Sequence, residues 1–231
     1  MINIRKSGDR GHADHGWLKT FHTFSFASYF EPEHTQFRAL RVINEDWIQG
    51  GQGFGTHPHE NMEIITYIIE GELEHKDSMG TGSVIRPGEL QRMTAGIGVT
   101  HSEFNPTRDT THLLQIWIYP EIINLQPSYE QRDFSKKSVP NELVLLASRT
   151  GQDGSLTVHQ DVDIFGALLD SGQQVEYAAG TDRHLWIQLI KGRLTVNGTD
   201  LMAGDGAALS DEKKVTLLAA ENSEFLLFDL A

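Results

Sequence analysis

Two imidazoles two residues apart, His57 and His59, lie in Gly53-Phe54-Gly55-Thr56-His57-Pro58-His59-Glu60-Asn61-Met62-Glu63, after a glycine-rich turn and before the apolar run Ile64 to Ile69. In extended backbone, side chains at i and i+2 share a face, and Pro58 between them disfavours helix. The pair can therefore converge on one point. Further along, His101-Ser102-Glu103 repeats the spacing with an imidazole and a carboxylate. Three nitrogens and one oxygen aimed inward from two strands are the donor set of a metal site, so His57, His59, His101 and Glu103 are the predicted ligands. Glu63 is the competing carboxylate, because it shares strand parity with His57 and His59. The pairing of Glu103 with His101 favours Glu103. Imidazoles suit iron, nickel, copper and zinc alike, and an added carboxylate with open positions points to Fe(II) and oxygen chemistry. Nickel, cobalt, manganese, copper and zinc are the alternatives. Four protein ligands would leave an octahedral ion two free positions, whereas a tetrahedral zinc would be closed by the same four.

Strands must hold these groups. Ala39-Leu40-Arg41-Val42-Ile43-Asn44 alternates apolar and polar, as a half-buried strand should. Further strands are expected at 64–69, around Leu73, at 91–95, at 99–104 with His101 and Glu103, and at 112–119. Glycine turns at 50–55, 79–82, 86–89 and 96–98 separate them. The second half reads the same way, with strands at 142–147, 156–159, 164–169, 185–190, 194–196, 215–219 and 225–228. Short strands between glycine turns, with scarcely any helical period, predict an all-β sandwich or barrel. The polar stretch from Pro120 to Pro140 carries three prolines and reads as the linker. It divides the chain into domains at 1–130 and 131–231.

An internal repeat supports two like domains. Ile68-Ile69-Glu70-Gly71-Glu72-Leu73 resembles Leu189-Ile190-Lys191-Gly192-Arg193-Leu194, and Arg86-Pro87-Gly88-Glu89 resembles Met202-Ala203-Gly204-Asp205. Aligning Gly71 with Gly192 sets His57 opposite Ala178, His59 opposite Gly180 and Glu63 opposite His184. The second copy keeps the framework and lacks the ligands, so His184 and His159 read as structural. His12, His15 and His22 fall in an aromatic, poorly periodic segment from 12 to 32. They read as packing over a barrel end. Phe54, Met93 and Trp117 are candidates to line a pocket, with core packing as the plainer alternative for each.

Composition narrows the function. The 231 residues contain no cysteine, which excludes disulfides, thiolate metal sites and a cysteine nucleophile. The formal net charge of −13 disfavours direct binding to nucleic acid. No segment approaches the roughly 20 apolar residues of a membrane helix. The N-terminal residues show no signal-peptide pattern, so a cytoplasmic location is expected.

Several motifs in combination resemble the pirin family. They are Gly11-His12 through His15-Gly16-Trp17-Leu18, His22-Thr23-Phe24-Ser25-Phe26, His57-Pro58-His59, and Thr94-Ala95-Gly96-x-Gly98-x-x-His101-Ser102-Glu103. The stretch from Gly51 through His57, His59 and Glu63 to Gly71 also resembles the first cupin motif. The resemblance spans most of residues 1–120 and implies two cupin (double-stranded β-helix, or jelly-roll) barrels in one chain. It implies one mononuclear metal, usually iron, in the N-terminal barrel, held by His57, His59, His101 and Glu103. It further implies a quercetin 2,3-dioxygenase activity, with a flavonol and O2 as substrates. In that reading Glu103 is also the catalytic base, taking the proton of the flavonol 3-hydroxyl. The alternative is a non-catalytic regulator whose iron redox state alters a surface for a protein partner, and the acidic charge would then favour a basic partner.

Overall fold

The computed structural model describes residues 2–231. Among them regular helix is confined to two three-residue 3-10 turns, Ser7–Asp9 and Gln152–Gly154, and strands make the framework. The first twelve are β1 (Ile2–Arg5), β2 (Gly11–Asp14), β3 (Leu18–His22), β4 (Leu40–Ile48), β5 (Gly53–His59), β6 (Glu63–Glu70), β7 (Leu73–Asp77), β8 (Gly82–Ile85), β9 (Glu89–Thr94), β10 (Val99–Phe104), β11 (Thr111–Ile118) and β12 (Ser128–Asp133). Ten more follow: β13 (Val144–Ser148), β14 (Leu156–Thr157), β15 (Val162–Leu169), β16 (Gln174–Ala178), β17 (His184–Lys191), β18 (Arg193–Val196), β19 (Thr199–Met202), β20 (Gly206–Ser210), β21 (Lys214–Ala219) and β22 (Ser223–Leu230).

The chain forms two compact units. One comprises residues 11–135 with 156–160, and the other takes the described residues up to Arg10 with 136–155 and 161–231. This differs in two ways from a single cut after residue 130. First, the expected linker contains β12, which pairs in full register with β9 from Ser128↔Thr94 to Asp133↔Glu89. Ser128-Tyr129-Glu130-Gln131-Arg132-Asp133 carries no apolar alternation because it is an edge strand, half-buried along nearly its whole length. A cut at 130 would sever it. Second, β1 pairs with β20, from Ile2↔Leu209 to Arg5↔Gly206, so the N-terminal strand completes a sheet of the other unit.

In the unit of residues 11–135, one antiparallel sheet runs β12-β9-β6-β11-β4-β3-β2 and a second runs β5-β10-β7-β8. Their inner faces enclose apolar side chains. Leu18, Ile48, Ile68 and Leu113 of the larger sheet meet Leu73 and Ile85 of the smaller one. A second cluster joins Ile64 and Met93 to Ala95 and Val99. Burial of this kind stabilises by about 25 cal/mol per Å² of apolar surface and holds the two sheets as one layered body.

The other unit repeats the plan, with β1-β20-β17-β22-β15-β13 in one sheet and β16-β21-β18-β19 in the other. The repeat read from the sequence recurs in the strand limits. Glu63 and His184 each open a strand, β6 and β17. The turns that follow place Gly71 and Gly192 at the same left-handed φ of 81°. Leu185, Ile187, Leu189, Leu217, Phe225 and Leu227 fill the interior of this unit with hydrocarbon.

Candidate metal centre

β5 and β10 lie side by side and bring the predicted donors together. His101 is the register partner of His57, and Val99 is that of His59. The alternation of β10 is regular: Val99, His101 and Glu103 are buried while Thr100 and Phe104 are exposed. The pairing slips between His101↔His57 and Glu103↔Phe54, so β5 carries one extra residue there. Such a bulge re-aims side chains. Phe54 and His57, of opposite parity in a regular strand, consequently line the same cavity.

The imidazoles of His57, His59 and His101 meet with ring centroids 4.5 to 4.8 Å apart. One ring nitrogen from each lies within 4.8 Å of the others. His101 is 2% exposed, and its Nε2 has no hydrogen-bond partner. His57 donates from Nδ1 to the Gly55 carbonyl at 2.8 Å. A carbonyl can only accept, so this bond leaves His57 Nε2 with its lone pair free. Burial, then the neighbouring His57, lowers the pKa of His59 to about 4. Burial followed by the charges of His57, His59 and His75 lowers that of His101 to about 2. Both rings are therefore neutral near pH 7, which is the metal-ligating form of imidazole. Leaving a buried imidazole nitrogen without a partner costs about 1–3 kcal/mol. A cation bound at that lone pair would relieve the cost, so this donor set fits a divalent transition metal.

Glu103 is buried beside the triad. Gln115 Nε2 donates to Oε1 at 3.0 Å and to Oε2 at 3.1 Å. Burial raises the carboxyl pKa to about 7, against the opposing hydrogen bonds from Gln115 and Thr66. Its carboxylate lies within 4.8 Å of donor atoms of His101 and His75. Burial also lowers the pKa of His75, against the opposing effect of Asp77.

Glu63 is not in this site. A turn intervenes between β5 and β6, so strand parity does not carry from His59 to Glu63. Ile64 is the β6 residue that lines the cavity. Glu63 instead accepts from the His159 backbone N–H and Nδ1, each at 3.2 Å. His159 thereby has the structural role expected of it, as has His184, whose Nδ1 is 2.8 Å from Ser210 Oγ.

The three imidazoles and Glu103 open onto a cavity of about 330 Å³. Phe26, Phe54 and Trp117 give it an aromatic wall, and His22, Asn44 and Asp46 a polar one. Met93 is fully buried in the core behind it. Asp46 is raised to about 7, chiefly by burial and further by Glu103 and Glu45. His22 donates from Nδ1 to Asn44 Oδ1 at 2.8 Å. His15 and His22 thus line the site itself, whereas His12 packs on Phe21. Sequence reasoning did not single out Asn44, Asp46, Gln115 or His75. The signal available for the first three was a polar residue inside an otherwise apolar strand. For His75 it was the spacing His75-x-Asp77, which repeats that of His101-x-Glu103.

A family model for pirin matches residues 3–118, and one for the quercetinase C-terminal cupin domain matches residues 145–230. A curated relative from Escherichia coli (strain K12), named quercetin 2,3-dioxygenase, is 48% identical over 231 residues, covering 100% of this chain and 99% of its own length. The chain belongs to the pirin family. A pirin-like protein of Caulobacter vibrioides is 42% identical to this pirin, with full coverage of both chains. The crystal structure of the E. coli bacterial pirin YhhW in complex with nickel(II) superposes on this pirin with a TM-score of 0.95. It is 48% identical, with 100% and 99% of the two chains covered. Both units of this pirin are cupin barrels, as the resemblance implied.

Proposed function

We propose that this pirin is a metal-dependent dioxygenase that opens the central ring of quercetin-like flavonols with O2, with His57, His59, His101 and Glu103 as the metal ligands. The observation that carries the proposal is the convergence of three imidazoles, one with a buried unpartnered nitrogen, on the floor of an aromatic-walled cavity. The 48% identical relative that bears the dioxygenase name supports it. Fe(II) is the proposed ion, since imidazoles with a carboxylate suit oxygen chemistry. The nickel complex of YhhW makes Ni(II) the first alternative.

When bound, the ion supplies Lewis acidity toward the substrate oxygen and a place for O2 beside it. The chain's own residues do the rest. Phe26, Phe54 and Trp117 grip the flat rings and exclude water, which makes approach of the reactants effectively intramolecular. The hydroxyls find partners on the polar wall of Asn44 and Asp46. Glu103 accepts the 3-hydroxyl proton at a carboxylate oxygen. Gln115 keeps the carboxylate aimed by donating to both oxygens.

Oxygen uptake with quercetin tests the proposal. Protein loaded with Fe(II) should consume O2, and the His57→Ala, His59→Ala double mutant should not. Uptake that does not depend on the metal, or no uptake, would overturn it.

A further inference from the structure

His75 lies behind His101, on the side away from the cavity. It projects from β7, whose register against β10 pairs Asp77 with His101 and His75 with Glu103. The His75 and Asp77 side chains are completely buried, and His75 Nε2 is 3.0 Å from Asp77 Oδ2. The other Asp77 oxygen, Oδ1, is taken by the backbone N–H groups of Met79 at 2.9 Å and Thr81 at 3.0 Å. On its far side His75 presents Nδ1 to His101 Nδ1 at 3.4 Å. The chain of contacts stops at His101 Nε2, which has no partner.

We infer that Asp77 and His75 are positioning residues that fix the tautomer of His101, and with it the nitrogen that His101 offers to the cavity. The direction follows from donor and acceptor inventories. Asp77 accepts two backbone N–H groups at Oδ1 and turns Oδ2 to His75 Nε2, so His75 carries its proton on Nε2. His75 Nδ1 is then a bare acceptor. Two imidazole nitrogens facing each other need one proton between them, so His101 donates from Nδ1. Its Nε2 is left with the lone pair, facing His57 and His59. Residues behind metal-binding histidines orient and tune them in this manner, and their loss costs about 10–100-fold in metal affinity. The inference rests on the metal-site reading above only where binding is concerned, because the tautomer belongs to the metal-free chain.

Asp77→Asn is the discriminating variant. Oδ1 stays engaged by Met79 and Thr81, so the new amide nitrogen must face His75 Nε2 and donate to it. The His75 proton then moves to Nδ1 and the His101 proton to Nε2, which blocks the nitrogen aimed at the cavity. Two-bond 1H–15N correlation spectra of the metal-free proteins should show His101 protonated on Nδ1 in the wild type and on Nε2 in D77N. Titration with Ni(II) should show D77N binding about 10–100-fold more weakly. A wild-type His101 protonated on Nε2, or D77N binding Ni(II) as tightly as the wild type, would overturn the inference.

If D77N does not fold, His75→Phe serves in its place. It keeps a ring against Tyr129, now 4.9 Å from His75 between centroids, and removes the acceptor. His101 should then populate both tautomers and Ni(II) affinity should fall, whereas unchanged spectra and affinity would overturn the inference. A wild type that binds no Ni(II) yet holds His101 as the Nδ1–H tautomer would defeat the metal-site reading alone.

Discussion

Glu103 and Glu63 compete as the carboxylate ligand in sequence, with the pairing to His101 favouring Glu103, and side-chain direction separates them. Glu103 faces the cavity with Gln115 across from it, while Glu63 points away and holds His159. Glu103→Gln should lower turnover by about 10²–10⁴-fold, as loss of a general base does. It should also reduce bound metal in emission spectroscopy. Glu63→Gln should leave bound metal unchanged, because its amide oxygen can still accept from His159. Glu103 also carries a pH signature in the metal-free protein. Its folded pKa of about 7 lies above the ordinary 4.5. The buried neutral form therefore favours folding fully below pH 4.5, and that benefit is lost as pH rises through 7. Thermal midpoints measured from pH 4.5 to 8 should fall in the wild type relative to E103Q. A difference that stays flat, or grows in the other sense, would contradict burial as the dominant influence on this carboxyl. His59 and His101 act oppositely, since their lowered pKa values weaken the fold as pH drops below 6.5.

Among the elements, β10 was legible and β12 was not, for one physical reason. A strand announces itself by alternation only when one face is buried and the other wet. Val99-Thr100-His101-Ser102-Glu103 meets that condition, whereas the edge strand β12 is half-buried on both faces. Asn44 and Asp46 are buried in β4 despite their polarity, so hydropathy alone could not place them at the site. The bulge in β5 left no mark in the sequence beyond its glycines, since it exists only against a partner strand. Gly53 shows how close that partner comes. A Cβ there would sit 2.2 Å from the Glu103 carbonyl oxygen and 2.6 Å from Phe104 Cα. Gly53→Ala should force β5 away from β10 and destabilise by about 1–3 kcal/mol, as overpacking does. Denaturant midpoints would report the loss, and weaker Ni(II) binding would show that the two strands share the site. Deleting Thr56 would remove the extra residue and leave Phe54 and His57 two positions apart, on one face of a regular strand, so Ni(II) binding should survive the deletion, and its loss would show that the bulge itself aims the imidazoles.

At the scale of the whole molecule, the duplication was readable because turns repeat more faithfully than surfaces. Gly71 and Gly192, like Gly88 and Gly204, occupy left-handed backbone in corresponding hairpins, where an L side chain is strained. The donors did not recur, and Ala178 and Gly180 stand where the imidazoles would be. One metal per chain is therefore the expected stoichiometry. An ion that binds only the folded state raises the unfolding free energy by about 2.7 kcal/mol at one hundred times its dissociation constant. Chelation should lower the thermal midpoint of the wild type and leave the H57A/H59A double mutant unmoved. A second equivalent of tightly bound metal would contradict the reading of an empty second barrel.

The pairing of β1 with β20 also governs how the protein emerges from the ribosome. Lys6 and Asp205, joined at 2.9 Å, are 199 positions apart in the chain. The unit without donors must wait for β20 before β1 finds a neighbour. Residues 11–135, which carry the histidines, need only 156–160 from further downstream. Because domains consolidate as they are translated, the half that carries the histidine triad matures first, and clipping β1 would loosen the other half while sparing it.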